Sequence, residues 1–326
     1  MKTDNMELRL WQYAIDDGFI PSFLEGMSIA HDEPAHDEQW FRWKFEQSPY
    51  GKAILACAFD DDCVAGCVAY GKGKFRYQGK EFDCALSYET FVHPNYQGKG
   101  LFKKLIDLAE KEAQRQRISF LYNFPNTNSL TGFMHMGWIC RNDVQQYKIR
   151  ITRPFHLLSH LLDLKKSFIP NQSNLDKIKS EVLDDICVGQ CNSQVITPVW
   201  TSDYLKWRFF TYPNRTYFVI NDDEVFAIAM VGMRGRLKDA HVLYVVSKTE
   251  DRPTNRCMPS VLRKIRQSVK PDLVSYSDSL GDDALSRIAG FIKVPSHSNF
   301  CYKLLDDSIE IRDFRIALPS INAHTY

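Results

Sequence analysis

The residues best suited to chemistry in this 326-residue sequence form a short turn that contains two glycines. Gln97, Gly98, Lys99 and Gly100 follow a run of strand-forming residues that Pro94 ends, and a helix with one apolar face comes next. The first amides of a helix have no acceptor within the helix, and glycines let a bulky anion approach the backbone. Because Lys99 adds a positive charge at the rim, the sequence predicts an anion-binding turn at a helix N-terminus.

The elements around this turn follow from the spacing of the apolar residues. The helix after the turn has five apolar residues on one face: Leu101, Leu105, Leu108, Ala109 and Ala113. A second strand over residues 118–124, a polar stretch and a short helix that Gly137 closes come after it. The turn is too short for a dinucleotide-binding fingerprint and lacks the GK[ST] ending of a triphosphate-binding loop.

An internal repeat sets the larger organisation. Residues 37–49 read DEQWFRWKFEQSP and residues 201–213 read TSDYLKWRFFTYP, so that Trp43 aligns with Trp207 and Phe45 with Phe209. The similarity returns near the end of each copy, where QYK at 146–148 resembles CYK at 301–303. The repeat predicts two domains, over residues 1–150 and 194–326.

The predicted linker, residues 151–193, contains a short amphipathic helix. Its apolar face has six members: Phe155, Leu157, Leu158, Leu161, Leu162 and Leu164. We expect this helix to cover the joint between the domains, and a membrane-surface helix is the alternative.

The second copy lacks the glycine turn. Residues 246–263 read VSKTEDRPTNRCMPSVLR, with two prolines and no glycine. Pro259 has no amide proton and lies near the point where we expect the helix to begin. The second domain is therefore predicted to lack an anion-binding turn.

The overall composition excludes several classes of protein. A formal net charge of +1 gives no general attraction to nucleic acid, and no apolar run approaches the ~20 residues of a membrane helix. The N-terminus lacks the apolar core of a signal peptide. The nine cysteines are predicted to be buried reduced thiols rather than a disulfide framework, and we expect no metal site. These features predict a cytoplasmic protein without membrane insertion.

The order of these elements resembles the GNAT superfamily of acyl-CoA N-acyltransferases. The matching features are a strand, V-x-P, Q-G-K-G-L-F, an amphipathic helix, a strand, an Asn, and an aromatic residue four positions before Gly137-Trp138. The resemblance covers residues 40–148 well and the second copy more faintly. It implies an α+β fold of tandem GNAT-like domains, each a mixed, mostly antiparallel sheet flanked by helices, with a degenerate second copy.

The resemblance also implies a binding site for acyl-CoA, with acetyl-CoA or 3-hydroxybutanoyl-CoA as the co-substrate. The pyrophosphate cradle falls on six consecutive residues: Gln97, Gly98, Lys99, Gly100, Leu101 and Phe102. The splayed strand that meets the pantetheine falls on Phe91 and Val92, and the Asn near the pantetheine arm falls on Asn126. In two places the sequence departs from the family, because Asn95 replaces a Gln or Arg and Phe133 replaces the Tyr that protonates the thiolate.

Candidate catalytic residues follow from the needs of acyl transfer to an amine. A base must remove a proton, because a protonated amine is not a nucleophile. Glu89, on the splayed strand, is the first candidate, and His93 and His135 are alternatives. Trp40 and Trp43, with Arg42 and Lys44, form either a phosphate-binding wall or, as we favour, part of the core.

The acceptor is suggested by a narrower resemblance. The W-K/R-F block, the Y-E-T-F-V-x-P strand and the F-P-N-x-x-S turn look like two-domain N-acyltransferases of bacterial surface-polysaccharide pathways. Those enzymes acylate nucleotide-linked aminodeoxy sugars, which implies a dTDP-linked amino sugar as the acceptor, as for a lipopolysaccharide precursor. Another small-molecule or protein amine is the alternative substrate. A non-catalytic acyl-CoA-binding protein is the alternative from another class.

Overall fold

The fold is taken from a computed structural model. It describes residues 6–142, 144, 146–166, 168–170, 195–212, 217–248, 254–278, 290–294, 299–306, 315–316 and 318. The chain divides into two compact units, each assembled from two stretches of sequence. The first unit contains Met1–Arg141 and Ser298–Phe314, and the second contains Asn142–His297 and Arg315–Tyr326.

The first unit is built on a mixed, mostly antiparallel sheet. Its strands are β1 (Glu7–Leu10), β2 (Ile54–Asp60), β3 (Cys63–Tyr77), β4 (Lys80–Val92), β5 (Phe120–Asn123), β6 (Ile139–Arg141) and β15 (Phe300–Leu304). They lie in the order β1-β2-β3-β4-β5-β15-β6, and the β4–β5 pair is parallel. Short 3-10 turns precede the first helix (Asp16–Phe19) and follow β4 (Pro94–Tyr96).

Helices cover both faces of this sheet. They are α1 (Ile20–His31), α2 (Glu38–Phe45), α3 (Leu101–Arg115) and α4 (Thr127–His135). Helix α3 buries the apolar face that its spacing predicts, since Leu105, Ala109 and Ala113 are fully buried. Helix α3 packs in one cluster with Ala58 of β2. The next residue of β2, Phe59, packs against Trp11, which precedes α1. Successive residues of a strand point to opposite faces, so α3 and α1 lie on opposite sides.

The second unit repeats this architecture. Its main sheet contains β7 (Gln146–Ile151), β8 (Phe168–Pro170), β10 (Phe218–Asn221), β11 (Val225–Arg234), β12 (Leu237–Ser247), β13 (Leu273–Asp278) and β14 (Ile292–Val294). The order is β10-β11-β12-β13-β7-β14, with β8 paired to β11. Helix α7 (Thr254–Ser268) packs on this sheet. The shorter elements of the unit are α5 (Pro154–Leu158), β9 (Val195–Pro198), α6 (Ser202–Leu205), a π-helical turn (Lys206–Phe210) and β16 (Arg315–Ile316). The predicted α+β fold of tandem GNAT-like domains is confirmed.

Two equivalent strands have changed places between the units. Strand β7 follows the first unit in sequence but pairs with β13 and β14 of the second. Strand β15 follows the second unit but pairs with β5 and β6 of the first. These strands contain the two similar segments QYK and CYK. Both units are therefore discontinuous in sequence, unlike the predicted domains 1–150 and 194–326.

The helix of the second unit that corresponds to α3 begins earlier than its sequence predicts. Helix α7 starts at Thr254, so Pro259 lies inside the helix rather than near its beginning. Residues 249–253 of the glycine-free segment lie outside the described residues.

The segment predicted as one amphipathic helix is divided. Helix α5 ends at Leu158, and a 3-10 turn follows over Leu161–Lys165. Leu157 packs with Leu237 and Leu273, but four apolar side chains of the segment are exposed: Phe155, Leu158, Leu161 and Leu162. The rest of the predicted linker, residues 171–193, lies outside the described residues.

The prediction of reduced cysteines is wrong for one pair. Cys140 and Cys301 lie opposite each other in the paired strands β6 and β15 and form a disulfide. Cys57, Cys67 and Cys84 are buried free thiols. Within the described residues, no helix has the length and apolar character to span a membrane, and no three metal-ligating side chains cluster.

Candidate active site

The candidate site begins where β4 and β5 separate. The two strands pair in parallel from Cys84 to Leu86, and the last matched pair is Leu86 with Tyr122. Beyond it β4 stays paired with β3 as far as Val92. We call the space between the diverging strands the fork. One edge of β4 is therefore open to a ligand along the fork.

The backbone of Val92 faces the fork. The amide of His93 donates to Ala65 on β3, at 2.9 Å. Successive amides of a strand point to opposite sides, so the amide of Val92 points away from β3 and that of Phe91 points toward it. The Phe91 ring packs against Phe23, with centroids 5.3 Å apart. Of the two predicted strand positions, Val92 offers its amide, whereas Phe91 anchors the strand in the core.

The glycine turn presents a row of free amides. Gly98 and Gly100 have positive φ angles of 75° and 71°, a region that favours glycine. Helix α3 begins at Leu101, and its first amide with a backbone acceptor is that of Lys104, which donates to Gly100 at 3.3 Å. Among the described residues, the amides of residues 98–103 contact no acceptor. A Cβ at either glycine would meet no atom within 4 Å, so the surface of the turn is open.

The charge at the start of α3 suits an anion. Lys99, Lys103 and Lys104 are all exposed there, and the first turn has no acidic residue. Cations near a helix N-terminus are unfavourable, because the helix dipole is positive at that end. In the described part of the chain none of these lysines forms an ion pair. A polyanion bound at the helix N-terminus would offset the repulsion between these lysines and the helix dipole.

The segment before the turn is fixed by side chains. The Tyr96 hydroxyl donates to Asp60 Oδ2 at 2.6 Å, and this hydrogen bond, with burial, raises the pKa of Tyr96 to about 12. Gln97 Nε2 donates to the carbonyl of Val92 at 3.2 Å. The Lys99 ammonium lies 5.1 Å from the centroid of the Tyr96 ring. These contacts join the turn to the ends of β2 and β4.

Asn126 and Phe133 both have structural roles in and around α4. Asn126 caps α4, and its Oδ1 accepts hydrogen bonds from the amides of Asn128 and Ser129 at 3.1 and 3.0 Å. Phe133 is buried, with its ring centroid 5.3 Å from that of Phe102 and 4.8 Å from that of Trp138. Position 133 therefore contributes packing and no acidic proton.

A buried polar residue that the sequence patterns did not single out lies at the base of the fork. Asn123, the last residue of β5, is 3% exposed, and its Oδ1 has no hydrogen-bond donor among the described residues. An unpaired buried amide oxygen costs about 1–3 kcal/mol. The sequence signal that could have indicated this residue is an asparagine at the end of an otherwise apolar strand.

Glu89 occupies a bulge in β4. The register with β3 shifts between the pairs Cys67–Phe91 and Ala69–Tyr88, so Glu89 and Thr90 together face Val68. The φ angle of Glu89 is 47°, which is uncommon for a residue other than glycine. Such strained positions occur often at functional sites.

The carboxylate of Glu89 contacts a buried lysine. Lys44 Nζ on α2 lies 3.1 Å from Glu89 Oε1, and the two side chains are 7% and 16% exposed. Trp40 and Trp43 are buried, as the interpretation of this block as core predicts. Arg42 lies on another face of α2, where it pairs with Asp17, Glu38 and Glu46. The block therefore does not form a phosphate-binding wall.

The two histidine alternatives occupy different environments. His93 Nδ1 accepts a hydrogen bond from the Asn95 amide at 3.2 Å, which stabilises the turn after β4. His135 is the exposed last residue of α4. No contact in the described part of the chain joins His135 to Glu89 or to the glycine turn. The structure thus brings His93 near the turn but not His135.

The match to a known family agrees with this geometry. Residues 13–138 match the model of the acetyltransferase (GNAT) family. The matched residues lie within the first unit. GNAT enzymes use acyl-CoA, so the chain is an acyl-CoA-dependent N-acyltransferase. No curated protein matches the sequence significantly.

Solved structures share the fold of both units. Eis1 from Mycobacterium abscessus is 11% identical with a TM-score of 0.60, over 93% of this chain and 74% of that chain. A GCN5-related N-acetyltransferase from Kribbella flavida is 14% identical with a TM-score of 0.58, over 92% and 72%. Saccharomyces cerevisiae N-myristoyltransferase with bound myristoyl-CoA is 11% identical with a TM-score of 0.56, over 93% and 83%. At these identities the likeness shows the fold alone.

Proposed function

We propose that the enzyme transfers an acyl group from acyl-CoA to the amino group of a nucleotide-linked aminodeoxy sugar, with Glu89 as the general base. The observation that carries the acyl-CoA site is the row of free amides over residues 98–103, which lies next to the open edge of β4. The amides and Lys99 bind the pyrophosphate, and the pantetheine extends along the fork past the amide of Val92.

The reaction begins with removal of a proton from the acceptor. The acceptor ammonium gives one proton to Glu89, and the neutral nitrogen attacks the thioester carbonyl. The C–N bond forms, the C–S bond breaks, and the electron pair leaves on sulfur. The second amine proton reaches the thiolate through solvent, while the proton on Glu89 is released. The products are one amide, one CoA thiol and one proton.

Departure of the thiolate does not depend on an acid at position 133. Phe133 is buried between Phe102 and Trp138 and has no proton to donate. A thiolate is a good leaving group, so positioning of the thioester supplies much of the rate. Val92 is the described residue whose amide can orient the thioester along the fork.

The acceptor is proposed from the sequence blocks that resemble two-domain enzymes of surface-polysaccharide pathways. In this proposal the acceptor is a dTDP-linked amino sugar, and the acyl donor is acetyl-CoA or 3-hydroxybutanoyl-CoA. Since both substrates are cytoplasmic metabolites, the enzyme would act in the cytoplasm. Acylation of another small-molecule or protein amine is the second candidate, because the same base and cradle serve any amine.

A direct experiment separates these candidates. Release of free thiol is measured from acetyl-CoA and 3-hydroxybutanoyl-CoA with a panel of dTDP-amino sugars, polyamines and peptides. The proposal expects the highest kcat/KM with a dTDP-amino sugar. A preference for polyamines or peptides would contradict the proposed acceptor. Binding of acyl-CoA without turnover on any amine would instead indicate a non-catalytic acyl-CoA-binding protein.

A further inference from the structure

The buried ammonium of Lys44 calls for a physical explanation. Removal of a charge from water costs several kcal/mol, and the ion pair with Glu89 at 3.1 Å offsets part of this cost. A hydrophobic residue of the same length would fill this place on α2 without the desolvation penalty. A lysine here is therefore costly for folding unless its charge serves the residue that it contacts.

Aromatic rings hold the ammonium in place. Lys44 Nζ lies 4.8 Å from the ring centroid of Tyr88, 5.5 Å from that of Trp40 and 6.0 Å from that of Trp43. Such cation–π contacts are strongest when the cation is desolvated. The Tyr88 hydroxyl also donates to the Lys44 carbonyl at 3.3 Å, which joins α2 to β4 directly beside Glu89. The position of Lys44 is thus fixed independently of Glu89.

The carboxylate, in contrast, lies on an unusual piece of backbone. The bulge and the positive φ angle at Glu89 turn its side chain out of the regular alternation of β4. Lys44 contacts Oε1, and no second donor among the described residues contacts this carboxylate. Oε2 therefore remains available to accept a proton from an amine.

We propose that Lys44 is a positioning residue, which holds the carboxylate of Glu89 oriented toward the acceptor amine. The inference rests on the proposed function, because it assigns Lys44 a role in the same reaction. Lys44 acts through Glu89 and does not itself contact the reacting atoms. Loss of its charge should reduce proton removal while leaving acyl-CoA binding intact.

The repeat suggests a purely structural alternative. Lys44 aligns with Arg208 of the second unit, and Arg208 is also buried, near the Tyr212 ring. A basic residue at this position could therefore belong to the fold of both copies. The experiment must distinguish loss of a fold contact from loss of a contact that acts on Glu89.

A double-mutant cycle makes this distinction. The variants are Lys44→Met, Glu89→Gln and the double variant, and the readouts are kcat, the KM of the amine and the Kd of acetyl-CoA. Lys44→Met should lower kcat about tenfold or more in the wild-type background, the loss expected when a general base is misplaced. In the Glu89→Gln background, Lys44→Met should change kcat by less than about twofold, because Lys44 acts through Glu89. If the two residues acted independently, Lys44→Met would lower kcat equally in both backgrounds.

Three further variants complete the design. Lys44→Arg, which keeps the charge, should retain more activity than Lys44→Met. Lys44→Gln replaces Lys44→Met if the latter does not fold, because it keeps a donor without the charge. Lys52→Met is the matched control, since Lys52 is half exposed and lies 3.8 Å from Glu46, and it should not change kcat.

An equal loss of kcat from Lys44→Met in both backgrounds would overturn the inference and support the structural alternative. An unchanged kcat in Lys44→Met would also overturn it. Failure of the proposed function has a different signature, because the wild-type enzyme itself would then bind no acetyl-CoA or acylate no amine.

Discussion

The hydroxyl of Tyr96 donates a 2.6 Å hydrogen bond to Asp60, which joins the segment before the glycine turn to the end of β2. Tyr96→Phe removes this bond while keeping the ring under Lys99. The turn should become less ordered in the free enzyme, so the Kd for acetyl-CoA should rise about threefold or more. Isothermal titration calorimetry measures this change. Asp60→Asn, which keeps an acceptor, should have a smaller effect, and an equal Kd in Tyr96→Phe and wild type would contradict the assignment.

The same hydrogen bond predicts a dependence of stability on pH. The pKa of Tyr96 is about 12 in the folded protein, above the value of about 10 for a free tyrosine. Its contribution to the free energy of unfolding is therefore fully present below pH 10 and is lost as the pH rises toward 12. Denaturant unfolding at pH 9 and 11 should show a smaller decrease for Tyr96→Phe than for wild type. Equal decreases would show that the bond does not stabilise the fold.

Substitution of either turn glycine should weaken acyl-CoA binding. Gly98→Val or Gly100→Val should raise the Kd at least tenfold, a loss of about 1.4 kcal/mol. A built Cβ meets no protein atom at either position, so the loss arises from backbone strain and from blocked approach of the pyrophosphate. Gly79→Val is the matched control, because Gly79 has a φ of 78° and open surroundings but lies in a hairpin away from the turn. Equal Kd values for acyl-CoA in all three variants would contradict the assignment of the glycine turn as the pyrophosphate site.

Loss of the base should reduce turnover selectively. Glu89→Gln should lower kcat about 10²-fold, the usual scale for a general base, and leave the Kd for acetyl-CoA nearly unchanged. Glu81→Gln is the matched control on the same strand, where Glu81 pairs with Arg76 at the surface. Activity should rise with pH as the acceptor amine loses its proton, and position 133 should cause no falling limb. If Glu89→Gln keeps most of its turnover at saturating substrate, His93 is next to be tested.

The exchanged strand predicts that residues 1–150 do not fold alone. This fragment lacks β15, the strand between β5 and β6, and with it the 2.6 Å contact of Lys303 Nζ with Glu110 Oε2. Circular dichroism and thermal unfolding should show no cooperative transition for 1–150. A chain of residues 1–141 joined to residues 298–314 should regain one. Cooperative unfolding of the 1–150 fragment would contradict the role of β15.

Local sequence patterns predicted the parts of the site that depend on nearby residues. The glycine turn, the end of β4 near Pro94 and the buried face of α3 each follow from residues within about four positions of one another. The capping role of Asn126 was equally local, since an Asn before a helix commonly accepts from the amides that follow. The assignment of Asn126 to the pantetheine arm came from the family resemblance and stays a prediction.

Contacts between distant residues were beyond such patterns. The exchange of β7 and β15 could not be predicted from local patterns, because the two strands contain similar segments, QYK and CYK. The disulfide of Cys140 with Cys301 depends on that exchange, since it joins β6 to β15. The contact of Lys44 with Glu89 required α2 to pack beside a bulge in β4, and neither the packing nor the bulge has a clear local signature. Long-range pairing, rather than secondary structure, limited the prediction.

The central claim is that one acyl-CoA binds per chain, at the glycine turn of the first unit. Calorimetric titration of the full-length wild-type protein with acetyl-CoA tests it most directly, with the Gly98→Val/Gly100→Val double variant in parallel. The account predicts one site in the wild type and no measurable binding in the double variant at the same concentrations. Two sites per chain, or one site that the double variant retains, would contradict it.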